Sequence, residues 1–572
     1  MTTWRERGRT MTATVNGAAT AGAVQGLWRR QIDHYPRTRS RVWYLAIVVA
    51  ATIILYYEYY IPGAVSPTII ADYGMTFSFY VYITVVASAV GAFSSLAAGL
   101  ADRWGRANLV AYGLLVTGLL TLVGIPNASG KWAYGILFAA IGLVEGVILV
   151  ATPALIRDFS PQLGRASAMG FWTLGPVVGS LVVAVVSSNT LNHLGAWQDQ
   201  FIICGIVGIV VGLVAVLGLK ELSPQLRDQL MVSLRDRALI EARARGLNIE
   251  ESLRRPWRQM LHLDIIGSAF AISVFLLLYY TAVGFFTVYF TTLHNFSLST
   301  ANSIGDWFWA FDAGALIVVG IISDRVRVRK PFMAVGAVGT AAATIVFLNL
   351  GAGTSYATFA VVISLIAVFL AIVYAPWMAS FTETVEKRNP ALTATGLAVW
   401  GWIIRAVIAI SILVLPSVVS SMTPLVTYGS QAATIQATYP QQLATLAVID
   451  PKTQAAMQAN PADTAAQATA VGEIAKAFSV PPAAATSRLV ALAKLPQTDQ
   501  VFLAEHGTAV ANASAAAPGQ WRNWWWVCVA GQIVFLPFIL LMAGRWSPRR
   551  ARQDAEEHER KVQEELAALE QA

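Results

Sequence analysis

The sequence predicts an all-α membrane protein with twelve transmembrane helices in two pseudo-symmetric six-helix bundles. Three observations predict it. Of 572 residues, 56% are apolar and only 13% charged, with a mean hydropathy of +0.57, a composition suited to lipid rather than water. Twelve apolar runs are long enough to span a bilayer. Two similar charged turns, one around Asp102 and one around Asp324, lie about half a chain apart, as in a duplicated membrane unit.

Residues 1–41 hold eight arginines and no apolar core, so a disordered cytoplasmic arm is expected, with no cleavable signal peptide. Six spans then fill residues 42–219. The first carries the cluster Tyr56-Tyr57-Glu58-Tyr59-Tyr60. The turn between the second and third holds Asp102, Arg103, Gly105 and Arg106, where a glycine can take the positive φ of a tight reversal. The fourth carries Glu145 near its middle. Residues 220–262, with nine Lys/Arg and six Asp/Glu, break the apolar pattern and are expected to be a solvated linker with amphipathic helices.

Spans seven to eleven fill residues 263–419. The eighth carries Asp306 and Asp312, the turn after it Asp324 and Arg325, and the eleventh Arg405. Residues 420–521, rich in Ala, Thr, Gln and Pro, form an insertion that is read either as a small helical cap or as a disordered loop. Span twelve lies within 522–544, with Trp524, Trp525 and Trp526 expected in an interfacial belt. The charged tail 545–572 follows.

Lys and Arg cluster in the arm, the linker and the tail, while the loops after spans one, five, seven and nine have none. The positive-inside rule therefore puts both termini in the cytoplasm, in a plasma (inner) membrane, with the insertion outside. The same clustering argues against a nucleic-acid partner despite the net charge of +8. Cys204 and Cys528 both sit in apolar runs, so neither a disulfide framework nor a metal site is expected. There is no phosphate-binding G-x-x-x-x-G-K-[ST] loop, no catalytic cluster and no sign of a cofactor, which leaves an ATP-driven pump and a membrane enzyme unsupported.

Charge at membrane depth is the strongest functional signal. A charged side chain at mid-bilayer costs about 2.5–3.5 kcal/mol on insertion scales, so it is expected to face protein or a watery cavity. Glu58, Glu145 and Asp312 are candidate proton carriers. Arg405 keeps its charge and is a candidate for binding an anionic group of a solute or for pairing with an acid such as Asp312. Tyr57, Tyr279 and Tyr280 are candidate solute contacts. The bland reading of the same charges is a set of fixed ion pairs that only position helices.

Residues 98–107, Ala-Gly-Leu-Ala-Asp-Arg-Trp-Gly-Arg-Ala, resemble the G-x-L-A-D-R-x-G-R-K signature of the major facilitator superfamily. The match is carried by Leu100, Ala101, Asp102, Arg103, Gly105 and Arg106. The second copy matches at Gly320, Asp324 and Arg325, with Arg327 in the glycine slot. Gly175, Pro176, Gly179 and Ser180 are similar to the family's G-P-x-x-G-G element, expected to permit close helix packing. Gly142, Glu145 and Gly146 stand where the family has R-x-x-Q-G, with the arginine missing.

The resemblance implies a fold of two six-helix bundles around a central cavity lined by spans one, four, seven and ten. It also implies a gating role for Asp102, Arg103, Gly105, Arg106, Asp324 and Arg325. The expected function is proton-coupled symport of a small organic, possibly anionic, solute by alternating access. The alternatives are export of amphipathic compounds by proton antiport, and a non-transporting receptor or scaffold. The partners expected are a small solute, protons and the bilayer.

Overall fold

The computed structural model describes residues 28, 30–94, 104–160, 172–226, 256–388, 393–460, 462–492 and 495–571. Among them, eleven helices are long and apolar enough to cross a membrane, and a shorter apolar helix, Gly175–Thr190, joins them. In a bilayer every backbone N–H and C=O must be satisfied within its own segment, and helices do this.

The first half contains α1 (Thr38–Ala64), the short α2 (Ser66–Asp72), α3 (Phe77–Ser94), α4 (Arg106–Leu119), α5 (Lys131–Phe159), α6 (Gly175–Thr190) and α7 (Trp197–Gly218). The second contains α8 (Pro256–Met260), α9 (Leu263–Phe275), α10 (Leu277–Leu293), α11 (Leu298–Val326), α12 (Lys330–Leu348), α13 (Tyr356–Arg388) and α14 (Thr393–Val418). Helices α9 and α10 form one span broken at Leu276, where ψ is 6°. Proline in the first turn starts α2, α6 and α12, where its missing N–H costs nothing. Ser297 caps α11 by accepting from the Thr300 backbone N–H at 3.1 Å.

The insertion is helical: α15 (Met422–Thr438), α16 (Pro440–Ala447), α17 (Pro451–Ala459), α18 (Thr464–Phe478), α19 (Pro482–Leu492) and α20 (Gln497–Phe502). It has its own small core of Ile449, Ala470, Ile474 and Ala485. The chain then re-enters along α21 (Thr508–Leu541) and ends in α22 (Pro548–Gln571).

Helix packing repeats between the halves. In the first, α3 packs on α5, α4 on α5 and α7, and α1 on α6 and α7. In the second, α11 packs on α13, α12 on α13 and α21, and α9 on α14 and α21. The seam obeys the same symmetry: α3 meets α14, α6 meets α11, and α1 meets α10.

Three local expectations are corrected. The described part of the arm is packed rather than disordered: residues 31–32 form strand β1, paired in parallel with β2 at Glu221–Leu222, and α1 begins at Thr38, before the expected span. The tryptophan triplet is not a belt. Trp524 and Trp525 are 3% and 1% exposed, because Trp524 donates to Thr281 Oγ1 at 3.0 Å and Trp525 packs on Tyr289 and Phe347. Trp526 alone of the three is exposed. Finally, α21 starts well before the apolar run and belongs to the insertion at its first turns.

Candidate functional site

Glycines fix how deeply Glu145 is set. A Cβ on Gly142 would meet the Ala87 carbonyl oxygen at 2.5 Å, and one on Gly146 would collide with the Gly91 carbonyl oxygen. The backbones of α3 and α5 therefore touch. Gly91 in turn leaves room for the Glu145 carboxyl, whose Oε2 lies 3.1 Å from where a Gly91 Cβ would stand. Glu145 is buried but keeps 8% exposure. It lies within electrostatic reach of Arg405 on α14, so an acid of one half faces the half-buried arginine of the other.

Tyrosines surround this pair. Tyr56 and Tyr59 on α1 feel the charges of both Glu145 and Arg405, and Tyr280 on α10 feels Arg405. Tyr56 is held in place by α6: Cβ atoms on Gly175 and Gly179 would stand 2.7 Å from Thr52 Cγ2 and 2.6 Å from Tyr56 Cβ. Pro176 sits in the first turn of the same helix. Tyr279 and Tyr280 meet edge to face at 5.1 Å, and Tyr279 meets Trp309 likewise at 5.1 Å.

Three sequence candidates stand elsewhere. Glu58 is fully buried and faces α4 and α7, beside Thr117 and Cys204. A side chain on Gly208 would collide with its Oε1. The Thr117 hydroxyl already donates to the Gly113 and Leu114 carbonyls, and neither Glu58 oxygen has a hydrogen bond among the described residues. Tyr57 turns to the same side, near Cys204, and is 0% exposed; it lies apart from Glu145 and Arg405. Asp312 on α11 is 1% exposed with both oxygens unpartnered. It lies beside Tyr279 and Tyr374 rather than paired with Arg405.

The two charged turns are built alike, around arginines. Gly105, at φ 88°, opens α4. Arg106 Nη1 bridges to Asp158 Oδ2 on α5 at 2.7 Å. In the second half Arg327 takes the left-handed turn at φ 59°. There Arg329 makes the corresponding bridge, to Asp324 at 2.7 Å and to Glu383 on α13 at 3.2 Å. Arg325 is exposed. Asp102 and Arg103 lie outside the described residues.

Two residues at the first turn were not singled out from the sequence. Glu221, 2% exposed, accepts from the backbone N–H groups of Arg106 at 2.6 Å and Ala107 at 3.2 Å, and so caps α4. A Cβ on Gly105 would stand 2.6 Å from its Oε1. Arg30 of the arm donates to the Ala215 carbonyl at 2.8 Å and lies over the Tyr112 ring. The one available signal was an acid placed directly at the end of an apolar run.

At the opposite end of the bundle the halves are joined. Thr287 Oγ1 donates to the Gly63 carbonyl at 2.5 Å, and Asn302 Nδ2 to the Ala64 carbonyl at 2.9 Å. Ser299 Oγ donates to the Ser188 carbonyl at 2.6 Å, and Ser188 Oγ to Asp306 Oδ2 at 2.9 Å. A cavity of about 40 Å³ remains among Tyr60, Ser180, Thr287, Asn302 and Trp309.

Comparisons with known proteins agree with this architecture. A crystal structure of a bacterial homologue of the human lysosomal transporter Spinster, in an inward-facing and unoccupied conformation, aligns with a TM-score of 0.54 at 16% identity, over 90% of this chain and all of that one. A D-xylose–proton symporter aligns at 0.51 with 14% identity, over 65% and 89%.

A putative glycerol-3-phosphate transporter of Arabidopsis thaliana is 23% identical over 270 residues, 40% of this chain and 51% of that protein. A niacin transporter of Acinetobacter baylyi is 31% identical over 151 residues, 25% and 33% of the two chains. A probable chloroplastic anion transporter of Arabidopsis thaliana is 31% identical over 121 residues, 21% and 23%. The chain thus spans about half or less of these relatives' lengths. The Major Facilitator Superfamily pattern matches residues 47–412, most of both helical halves, and the chain belongs to that superfamily of membrane transporters.

Proposed function

We propose that the protein is a proton-coupled symporter for a small organic anion, working by alternating access in the plasma membrane with both termini cytoplasmic. The observation that carries this reading is that Glu145 of one half and Arg405 of the other stand within electrostatic reach across the seam, with no direct salt bridge between them among the described residues. A fixed ion pair within one half would only hold helices. An acid and an arginine carried by two halves that rock against each other can approach and separate as transport proceeds.

When Glu145 holds a proton, Arg405 is free to take the anionic group of a solute. When Glu145 is ionised, it competes for the same guanidinium. Solute and proton are therefore bound together and released together. Asp312, buried beside Tyr279, is a second proton-holding group, and Tyr279 and Tyr280 are solute contacts. The hydrogen-bonded seam at Gly63, Ala64 and Ser188 closes the outer side in this state. The turns around Arg106 and Arg329 govern the inner side, together with Asp102 and Arg103. Relatives named for glycerol-3-phosphate, niacin and anions support an anionic solute.

The test is flux in proteoliposomes with an imposed pH gradient, acid on the side corresponding to the cell exterior. Anion accumulation that collapses with a protonophore is expected. Anion binding with no gradient-driven flux overturns the reading.

A further inference from the structure

Resting on the symport reading above, we propose that the site takes an aromatic monocarboxylate, carried with one proton in an electroneutral cycle. Three observations point there. The first is charge. Arg405 is the cation in reach of Glu145 and of the tyrosines at mid-membrane. One guanidinium matches one carboxylate bidentately. A dianion would leave a second negative charge beside Asp312 and Glu145 with no partner, a costly burial.

The second is the set of free phenols. Tyr56, Tyr60, Tyr279, Tyr280 and Tyr374 come from three helices, α1, α10 and α13. None of their hydroxyls has a partner among the described residues, and none is shut away from solvent as those of Tyr57 and Tyr134 are. Five hydroxyls with no internal partner can donate to a carboxylate or accept from a ring substituent.

The third is the wall. The same residues present rings: Tyr56 lies 5.3 Å from Tyr60 and Tyr279 lies 5.1 Å from Tyr280, while Tyr279 and Tyr374 are backed by the buried Trp309 and Trp377 at 5.1 and 6.1 Å. Phenol and indole give broad apolar faces with polar tips, which suits a flat ring with a polar edge. A polyhydroxylated acid requires a dense array of directional amides and carboxylates. The amide at the seam, Asn302, is already committed to the Ala64 and Leu298 carbonyls.

The charge arithmetic gives the coupling. One proton neutralises Glu145 and one carboxylate neutralises Arg405, while Asp312 keeps its proton throughout the cycle, so loading adds no net charge.

The test uses the purified full-length chain and three probes: 4-hydroxybenzoate, gluconate and terephthalate. Binding is followed by tryptophan fluorescence and by thermal shift. Flux is followed in proteoliposomes with a pH gradient and a clamped potential, corrected for protein-free vesicles. 4-Hydroxybenzoate is expected to bind at least about tenfold more tightly than either other probe, with uptake unchanged when the clamped potential is reversed. Tyr280→Phe, which keeps the ring and removes only the hydroxyl, is expected to weaken 4-hydroxybenzoate several-fold. Arg405→Lys is expected to weaken it further.

Tighter binding of gluconate or terephthalate overturns the proposal, as does uptake that follows the potential. Either result leaves proton-coupled anion transport standing if flux still follows the pH gradient. Absence of gradient-driven flux for all three probes sinks the underlying reading as well.

Discussion

Glu58 and Glu145 are both acids buried in the apolar helices of the first half, and the contrast between them is instructive. Glu145 looks across the seam at Arg405 and keeps a trace of exposure. Glu58 looks inward at Thr117, Cys204 and Gly208, and has none. Burial is common to both, so it does not by itself distinguish the two as proton carriers. On the proposed function, what separates the two is that the Glu145 carboxyl lies toward the other half while the Glu58 carboxyl lies within its own.

The sharpest way to break this comparison is to neutralise each acid in turn. Glu145→Gln is expected to reduce pH-driven accumulation to the level of protein-free vesicles while leaving solute exchange at equal pH measurable. Glu58→Gln is expected to keep accumulation within a factor of about two, since replacing a buried charge by a neutral isostere is often neutral or stabilising. The measurement is the steady-state accumulation ratio in proteoliposomes. Loss of coupling in Glu58→Gln with coupling retained in Glu145→Gln would invert the assignment.

A second test probes the closed packing around Glu58. Gly208→Ala puts a methyl where the Glu58 carboxyl lies, with Gly118 Cα also only 3.3 Å away. Overpacking of this kind costs about 1–3 kcal/mol, read as a lower midpoint in thermal unfolding of the detergent-purified protein. Adding Glu58→Ala is expected to recover part of the loss, because the two sites share one volume and are not additive. An unchanged midpoint in Gly208→Ala would show that the carboxyl can swing away, and the pocket would then be less closed than its contacts indicate.

Much of this was legible in the sequence, and the misses have a common physical origin. Apolar length and the repeated charged turn gave the two matched halves, because hydrocarbon allows few backbone solutions. Helix rotation was not legible. Tyr56, Tyr57, Glu58, Tyr59 and Tyr60 occupy every face of α1 at about 100° per residue. Composition could not say that Tyr56 faces Arg405 while Tyr57 faces Cys204. The arm was misread for a related reason. Its polarity suggests disorder, but the order at Arg30–Ile32 comes from partners far along the chain, Tyr112, Ala215 and the Glu221–Leu222 strand, which no local pattern reports.

The turns extend the same lesson and give the next test. Arg325 matched the signature by position, yet it is exposed, and Arg329 makes the ion pairs. Arg325 holds the slot of Arg103, counting from the acid puts Val328 in the slot of Arg106, and the second turn carries one more residue before its pairing arginine. Arg329→Ala is expected to lower stability by about 1 kcal/mol, a value discounted because its partner side chains are 71% and 40% exposed. Arg325→Ala is expected to leave the midpoint unchanged. Equal effects would mean that the ion pairs to Arg329 contribute nothing beyond general charge.

Glu221→Gln tests the feature that makes the first turn unlike the second. The carboxylate caps α4 by accepting two backbone N–H groups, and its charge also favours the positive end of the helix. Glutamine keeps one acceptor oxygen and the shape but loses the charge, so the expected loss is about 0.5–1 kcal/mol, with folding preserved. If the capped turn also moves during the cycle, the transport rate will shift while solute affinity does not. A change in affinity with an unaltered rate would assign Glu221 to the binding side of the cycle and remove the cap from gating. An equal effect of Glu383→Gln on the second turn would show that the two turns act as matched hinges, although only the first is held by the arm and the linker strand.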